Sequence, residues 1–212
     1  MESLYDLDFN YYYKIYTNLH NMMKDRGFTP KKQKMDLTEY KTKLIGHLAE
    51  SSEKDNKLAP FFFIDSLSII FTKNDEKVLV YFYILDTKIK KTDMEHVNAL
   101  MIKKECSSVI LIIKEKVTSR VSSILDLIDK SQVFYEKELC YNPINHVLAP
   151  KYKILSKEEI DELLESYHIT LKNLPGIFKN QPVPKYYNLQ EGSVIEIHRS
   201  DNSLYYRTVR NE

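Results

Sequence analysis

Residues 146–200 read HVLAPKYKILSKEEIDELLESYHITLKNLPGIFKNQPVPKYYNLQEGSVIEIHRS, with YYR following at 205–207, and this stretch decides the fold. Ser156 with Glu159 three residues on is a capping box. Ile160, Leu163 and Leu164 then supply one apolar face, so a helix starts here. Leu171 to Ile177 predicts a further short helical turn. Pro182 and Pro184 exclude a regular strand, and Pro184 suits the first turn of a short helix carrying Tyr186 and Tyr187. Ser193 to Arg199 alternates strictly, as a half-buried strand does. Leu204 to Val209 pairs with it across the polar connection Ser200-Asp201-Asn202-Ser203. Helix, turn and hairpin together make a complete small module.

Outward from this module, the segment CYNPIN at 140–145 holds a turn signal, Asn142-Pro143, and marks a boundary. Two domains are therefore expected, 1–141 and 142–212. In the first, Tyr12, Ile15, Tyr16, Leu19, Met22 and Met23 recur at helical spacing between Asn10 and Arg26. Gly27 follows as a helix-ending residue, with Pro30 beyond. A second helix starts near Asp36, boxed by Glu39 and carrying Tyr40, Leu44, Ile45 and Leu48. The period then changes. Phe61–Phe71 and Val78–Leu85 read as strands joined at Lys73-Asn74-Asp75-Glu76. Thr92 and Glu95 cap a helix running to about Lys104, and Ser108–Ile113 reads as a buried strand. A helix over Ser119–Asp129 and a strand over Gln132–Glu136 complete the domain. The fold class is α+β, with an N-terminal α/β domain whose sheet is covered on both faces and a small C-terminal mixed α/β domain.

Bulk properties narrow the function. At 212 residues, 43% hydrophobic and 12% aromatic, the chain can bury a real core. Its 31 basic and 30 acidic residues nearly cancel to a formal charge of +1, unlike a dedicated nucleic-acid binder. Cys106 and Cys140 have no zinc-ligand partners at the right spacing and read as reduced thiols of an intracellular protein. The N-terminus lacks the basic and apolar regions of a secretory signal, and no run approaches the ~18 apolar residues of a membrane span.

Three residue patterns are candidate sites. Pro60, Asp65 and then Asp86-Thr87-Lys88 loosely follow the PD-(D/E)xK pattern, in which two carboxylates hold Mg²⁺ and the lysine steadies the attacking water. Against this, D-x-K triplets are common in a lysine-rich chain, and both aspartates stand at strand ends where polar residues occur naturally. Lys114, Lys116, Thr118, Ser119 and Arg120 leave a buried strand and enter a helix. Free N–H groups and positive charge there attract phosphate, although an ordinary strand-to-helix turn would look the same. The six histidines, among them His47, His96, His146 and His198, lack partners at helical spacing and read as structural or solvent-facing. There is no G-x-S-x-G elbow, and four glycines leave no phosphate-cradling loop.

The third pattern is the module itself. His146-Val147-Leu148-Ala149-Pro150-Lys151 follows H-x-L-x-P-K. Leu174-Pro175 with Ile177 follows L-P-x-I, and Pro182-Val183 with Tyr186 follows P-V-x-x-Y. Gly192, Val194, Ile197 and Arg199 follow G-x-V-x-I-x-R, and Tyr206-Arg207 closes the series. In this order the elements resemble the C-terminal assembly domain of the fifth subunit shared by eukaryotic RNA polymerases I, II and III, a domain that by itself corresponds to the subunit's archaeal counterpart. The chain departs from that pattern at Gln181, His198 and Gly176, and at Asn188, which stands in place of a glycine and can still adopt left-handed backbone; these departures bear on individual partner contacts.

The resemblance implies a non-catalytic polymerase subunit, with no cofactor, no metal and no small-molecule substrate. Residues 1–141 would form a jaw domain of nuclease-like topology without nuclease activity, its 114–120 loop facing downstream duplex DNA. Residues 142–212 would dock on the largest subunit through His146, Pro150, Lys151, Pro175, Ile177, Pro182, Tyr186, Arg199, Tyr206 and Arg207. A nucleus is implied for a cellular protein, and a virion or cytoplasmic viral factory for one from a large DNA virus. The competing readings are a Mg²⁺-dependent nuclease using Asp65, Asp86 and Lys88, and a stand-alone adaptor reusing the module.

Overall fold

The computed structural model describes residues 8–43, 45, 67–83, 89–128 and 130–211. Asp65, Asp86 and Lys88, the residues of the nuclease pattern, lie outside them. The chain divides into two compact units, 1–141 and 142–212.

The first unit opens with α1 (Phe9–Asp25). The Asp8 carboxylate starts it by accepting the N–H groups of Asn10 and Tyr11 at 3.0 and 3.1 Å. Its buried stripe is Tyr12, Ile15, Tyr16, Leu19, Met22 and Met23, with His20 among them. Gly27 ends it at φ +82°, and the Phe28 N–H returns to the Met23 carbonyl at 2.9 Å. The two-residue edge strand β1 (Thr29–Pro30) follows. A helix over 37–43, here α2, is capped by Asp36, whose Oδ1 accepts the Glu39 N–H at 2.8 Å.

The remaining elements are β2 (Ile69–Lys73), β3 (Glu76–Tyr83), α3 (Lys91–Lys103), β4 (Ser108–Ile113), α4 (Ser119–Asp126), β5 (Gln132–Tyr135) and α5 (Glu136–Leu139). The sheet order is β1-β2-β3-β4-β5. The β1–β2 and β2–β3 pairs are antiparallel, and β3, β4 and β5 run parallel. A mixed sheet follows from the connections. The two-residue turn Asn74-Asp75, with Asn74 at φ +51°, reverses the chain, whereas α3 and α4 carry it back for parallel pairing. Every residue of β4 is buried, as a central parallel strand requires. Both faces are covered. On one, His20 of α1 packs its ring 5.1 Å from Phe71 and Arg26 lies over Phe134. On the other, the Tyr83 hydroxyl donates to Asp93 of α3 at 2.9 Å.

Asp93 also corrects a predicted cap. Thr92 and Glu95 were the expected pair, but the Asp93 carboxylate accepts the Lys90 N–H at 2.8 Å. The helix starts two residues earlier than expected, and a buried carboxylate shared with a tyrosine hydroxyl serves as its cap.

The second unit contains β6 (Lys151–Ile154), α6 (Lys157–Ser166), a 3₁₀ turn (Leu171–Asn173), β7 (Gly176–Phe178), α7 (Pro182–Tyr187), β8 (Val194–His198) and β9 (Leu204–Arg210). Its sheet order is β6-β8-β9-β7. The β8–β9 hairpin is antiparallel, and β7 joins β9 in parallel. One face carries Ile195 and Val209 under Val183 and Leu189. The other carries Leu155, Leu174 and Val194 under Ile160, Leu163 and Leu164 of α6.

Two short strands depart from the sequence expectation. Residues 151–154 pair with β8, and 176–178 form a strand where a single helical turn was expected over 171–177. Pro175 explains the second. It disfavours helical backbone at Leu174, which sits at φ −72°, ψ 141°, so the turn stops and the chain extends.

Candidate functional site

The small unit is held together by its own arginines and tyrosines. Arg210 donates Nη2 to the carbonyls of Lys172 at 3.1 Å and Leu174 at 2.8 Å. Its side chain occupies the space above Gly176, where an added Cβ would lie 3.0 Å from the Arg210 Cδ. Arg207 donates Nη1 to the Gly176 carbonyl at 3.1 Å. The 172–176 segment is thus clamped by two side chains from β9, and a Cβ at 176 would press on the Arg210 side chain. Arg210 was not singled out in the sequence. Its contacts span 36 and 38 residues, so no local pattern signals them.

At the start of the unit, Asn142 Oδ1 accepts the N–H groups of Ile144 and Asn145 at 2.9 and 3.3 Å, an Asx turn. Its Nδ2 donates to the Tyr186 hydroxyl at 3.3 Å. Pro182 opens α7, and Asn188 ends it in the left-handed region at φ 54°, ψ 43°. That matches the role expected of Asn188 as a substitute for glycine.

The sequence-derived interface residues fall into separate groups. Pro175, Ile177 and Arg207 meet at the β7–β9 edge, where the Thr208 N–H also donates to the Pro175 carbonyl at 3.0 Å. Lys151 lies opposite His198 across β6–β8. Arg199 stacks over the Tyr205 ring at 3.9 Å. His146 is exposed and accepts the Leu148 N–H on Nδ1 at 3.2 Å, tightening a loop whose end, Pro150, is half-buried. Pro182 is exposed at the helix start. Tyr186 is 3% exposed and belongs to the interior, whereas Tyr206 is half-buried against the Leu155 cluster. Burial, and then the Glu196 carboxylate, push the Tyr206 hydroxyl pKa up.

The unit exposes apolar side chains that were not among the expected docking residues, although Leu148 is a position of the H-x-L-x-P-K motif. Val147 is 96% and Leu148 85% exposed, and Tyr167, Phe178, Leu204 and Tyr205 are also open to solvent. With both internal clusters complete, these side chains are available to a partner.

In the first unit, Lys114, Lys116, Thr118, Ser119 and Arg120 are all exposed. They sit past the carboxyl end of β4, where parallel strands open toward ligands. Thr118 precedes α4 and makes no side-chain cap, so it leaves the first-turn N–H groups to other partners. Among the described residues, no cluster of three or more His, Cys, Asp or Glu side chains is arranged to hold a metal ion. No described helix is long and apolar enough to cross a membrane.

A family model described as RNA polymerase Rpb5, C-terminal domain, matches residues 141–209. The DNA-directed RNA polymerases I, II, and III subunit rpabc1 of Dictyostelium discoideum is 31% identical over 145 residues, spanning 65% of this chain and 74% of that protein. The chain belongs to the Rpb5 family. Its relatives include subunit RPABC1 of Caenorhabditis briggsae, 31% identical with 68% of this chain and 71% of that one covered. The DNA-directed RNA polymerase subunit 5-like protein 1 of Arabidopsis thaliana is 27% identical and covers 93% of both chains, so the Rpb5 likeness extends over the first unit as well.

Proposed function

We propose that this Rpb5-family chain is a non-catalytic subunit of a DNA-directed RNA polymerase. In this reading, residues 142–212 dock on the largest subunit and residues 1–141 form a jaw beside incoming duplex DNA. The observation that carries the docking is the exposed apolar set headed by Val147 and Leu148, on a unit whose interior is already filled. Affinity would come from burying that surface, which suits a chain of formal charge +1. The polar rim would include His146, Lys151, Arg199 and Arg207, with Pro175 and Pro182 adding apolar contact. Lys114, Lys116 and Arg120 would contact DNA phosphates inside the assembled enzyme. In a cell the protein would then work in the nucleus.

Truncation tests the division of labour. A chain lacking 142–212 should fail to enter the polymerase, whereas one lacking 1–140 should enter and leave transcription impaired. If residues 141–212 do not co-purify with the core enzyme, the proposed docking unit is wrong. The nuclease reading gains nothing from the relatives described above, which are polymerase subunits by name. Incubating the protein with Mg²⁺ and plasmid DNA checks it directly: no cleavage is expected, and cleavage lost in Asp86→Ala would revive it.

A further inference from the structure

A cavity of about 520 Å³ opens in the first unit beside the β1–β2 edge of the sheet. Five lysines line it: Lys31, Lys32, Lys34, Lys43 and Lys104. Two carboxylates, Asp36 and Glu39, share the lining, and Asp36 is already committed to capping α2. Lys104 donates to the Ser68 hydroxyl at 3.0 Å, which fixes one ammonium at the wall. Lys31, Lys32 and Lys34 form no ion pair among the described residues. The segment that carries them is pinned to α1, because the Met35 N–H donates to the Tyr16 hydroxyl at 3.0 Å.

The charge is felt inside. Lys34 adds to the burial that disfavours the imidazolium of His20, and where burial pushes the Cys106 thiol pKa up, Lys104, Lys77 and Lys31 oppose it. The rest of the wall is mixed, with the polar side chains of Gln33 and Ser68 beside the apolar Tyr16, Leu67, Ile69 and Ile70. Five ammoniums against two carboxylates leave the concavity net positive, which concentrates the field on an anion. Lysine ammoniums are mobile point charges suited to phosphate. The volume is that of a small-molecule site, too small to admit a duplex.

We propose that this cavity binds a small polyphosphate, either a nucleoside triphosphate or a free phosphate chain, through Lys31, Lys32, Lys34, Lys43 and Lys104. The proposal does not depend on membership of a polymerase. Titration calorimetry of the full chain with tripolyphosphate and with ATP, at about 50 mM salt, tests it. Single-site saturable binding is expected, weakened at least ~10-fold by the double substitution Lys32→Ala with Lys34→Ala. Lys172→Ala with Lys185→Ala, in the second unit, should leave it unchanged. Both lysines of the test pair are exposed, and an unchanged melting temperature shows that the fold survives. Equal affinities for the two ligands would identify the phosphate chain as the recognised part. Tighter ATP binding would place the base on the apolar wall. Lack of saturation, indifference to the double substitution, or displacement by single-stranded DNA at lower phosphate concentration would overturn the proposal.

Discussion

His20 is 8% exposed, with its ring centroid 4.5 Å from that of Tyr16 and 5.1 Å from that of Phe71, and its Nε2 has no hydrogen-bond partner. Burial first, and Lys34 second, lower its pKa from 6.5 to about 4. The folded state therefore holds it neutral, while the unfolded chain protonates it near pH 6.5. Stability is intact above that value and falls as the pH drops from 6.5 through 4, by an amount on the order of 3 kcal/mol. Urea midpoints measured across this range should flatten in His20→Phe, and an equally steep loss in the variant would contradict this account. Gly176 offers a second test at the same scale. Gly176→Ala sets a Cβ against the Arg210 side chain and should cost ~1 kcal/mol, as should Arg210→Ala through its lost hydrogen bonds. Because both changes disturb one contact, the double variant should cost less than their sum.

At the scale of elements, the capping box at the start of α6 was legible in the sequence. The Ser156 hydroxyl accepts the Glu159 N–H at 3.3 Å, and the Glu159 carboxylate accepts the Ser156 N–H at 2.8 Å. Lys153, bonded to that carboxylate at 2.6 Å, and the Ser156 N–H hold the Glu159 pKa below its usual range. Ser156→Ala should cost ~1 kcal/mol by thermal denaturation. The Lys153–Glu159 ion pair is exposed, so Lys153→Ala should cost well under ~1 kcal/mol. The β8–β9 hairpin, the αL residue Asn188 and the buried run SVILII were equally legible, since each rests on local periodicity or turn chemistry. Strands β6 and β7 were not. Four and three residues are too few for a period to register, and their pairing partners lie far along the chain. The candidate assembly surface was legible only in part. Its motif residues stand out by their order, but some of them, such as Tyr186, are conventional core. Exposure of Val147 and Leu148 becomes visible only once the two interior clusters are seen to close without them.

For the whole molecule, two units with separate cores mean that the proposed assembly surface and the proposed DNA-facing loop can be altered one at a time. Val147→Ser with Leu148→Ser should leave thermal stability within ~0.5 kcal/mol, since both side chains are already in water. The same pair should reduce incorporation into the polymerase. Conversely, Lys114→Ala with Lys116→Ala and Arg120→Ala should leave incorporation unchanged and lower the salt sensitivity of DNA engagement by the assembled enzyme. The most direct measurement is a native pull-down of the tagged chain from its own cells, or from cells infected with its source virus, quantified by mass spectrometry. Both large catalytic chains of an RNA polymerase should come down in equal molar amounts with it. Recovery of the chain alone, or with partners that lack those two subunits, would contradict its place as a polymerase subunit.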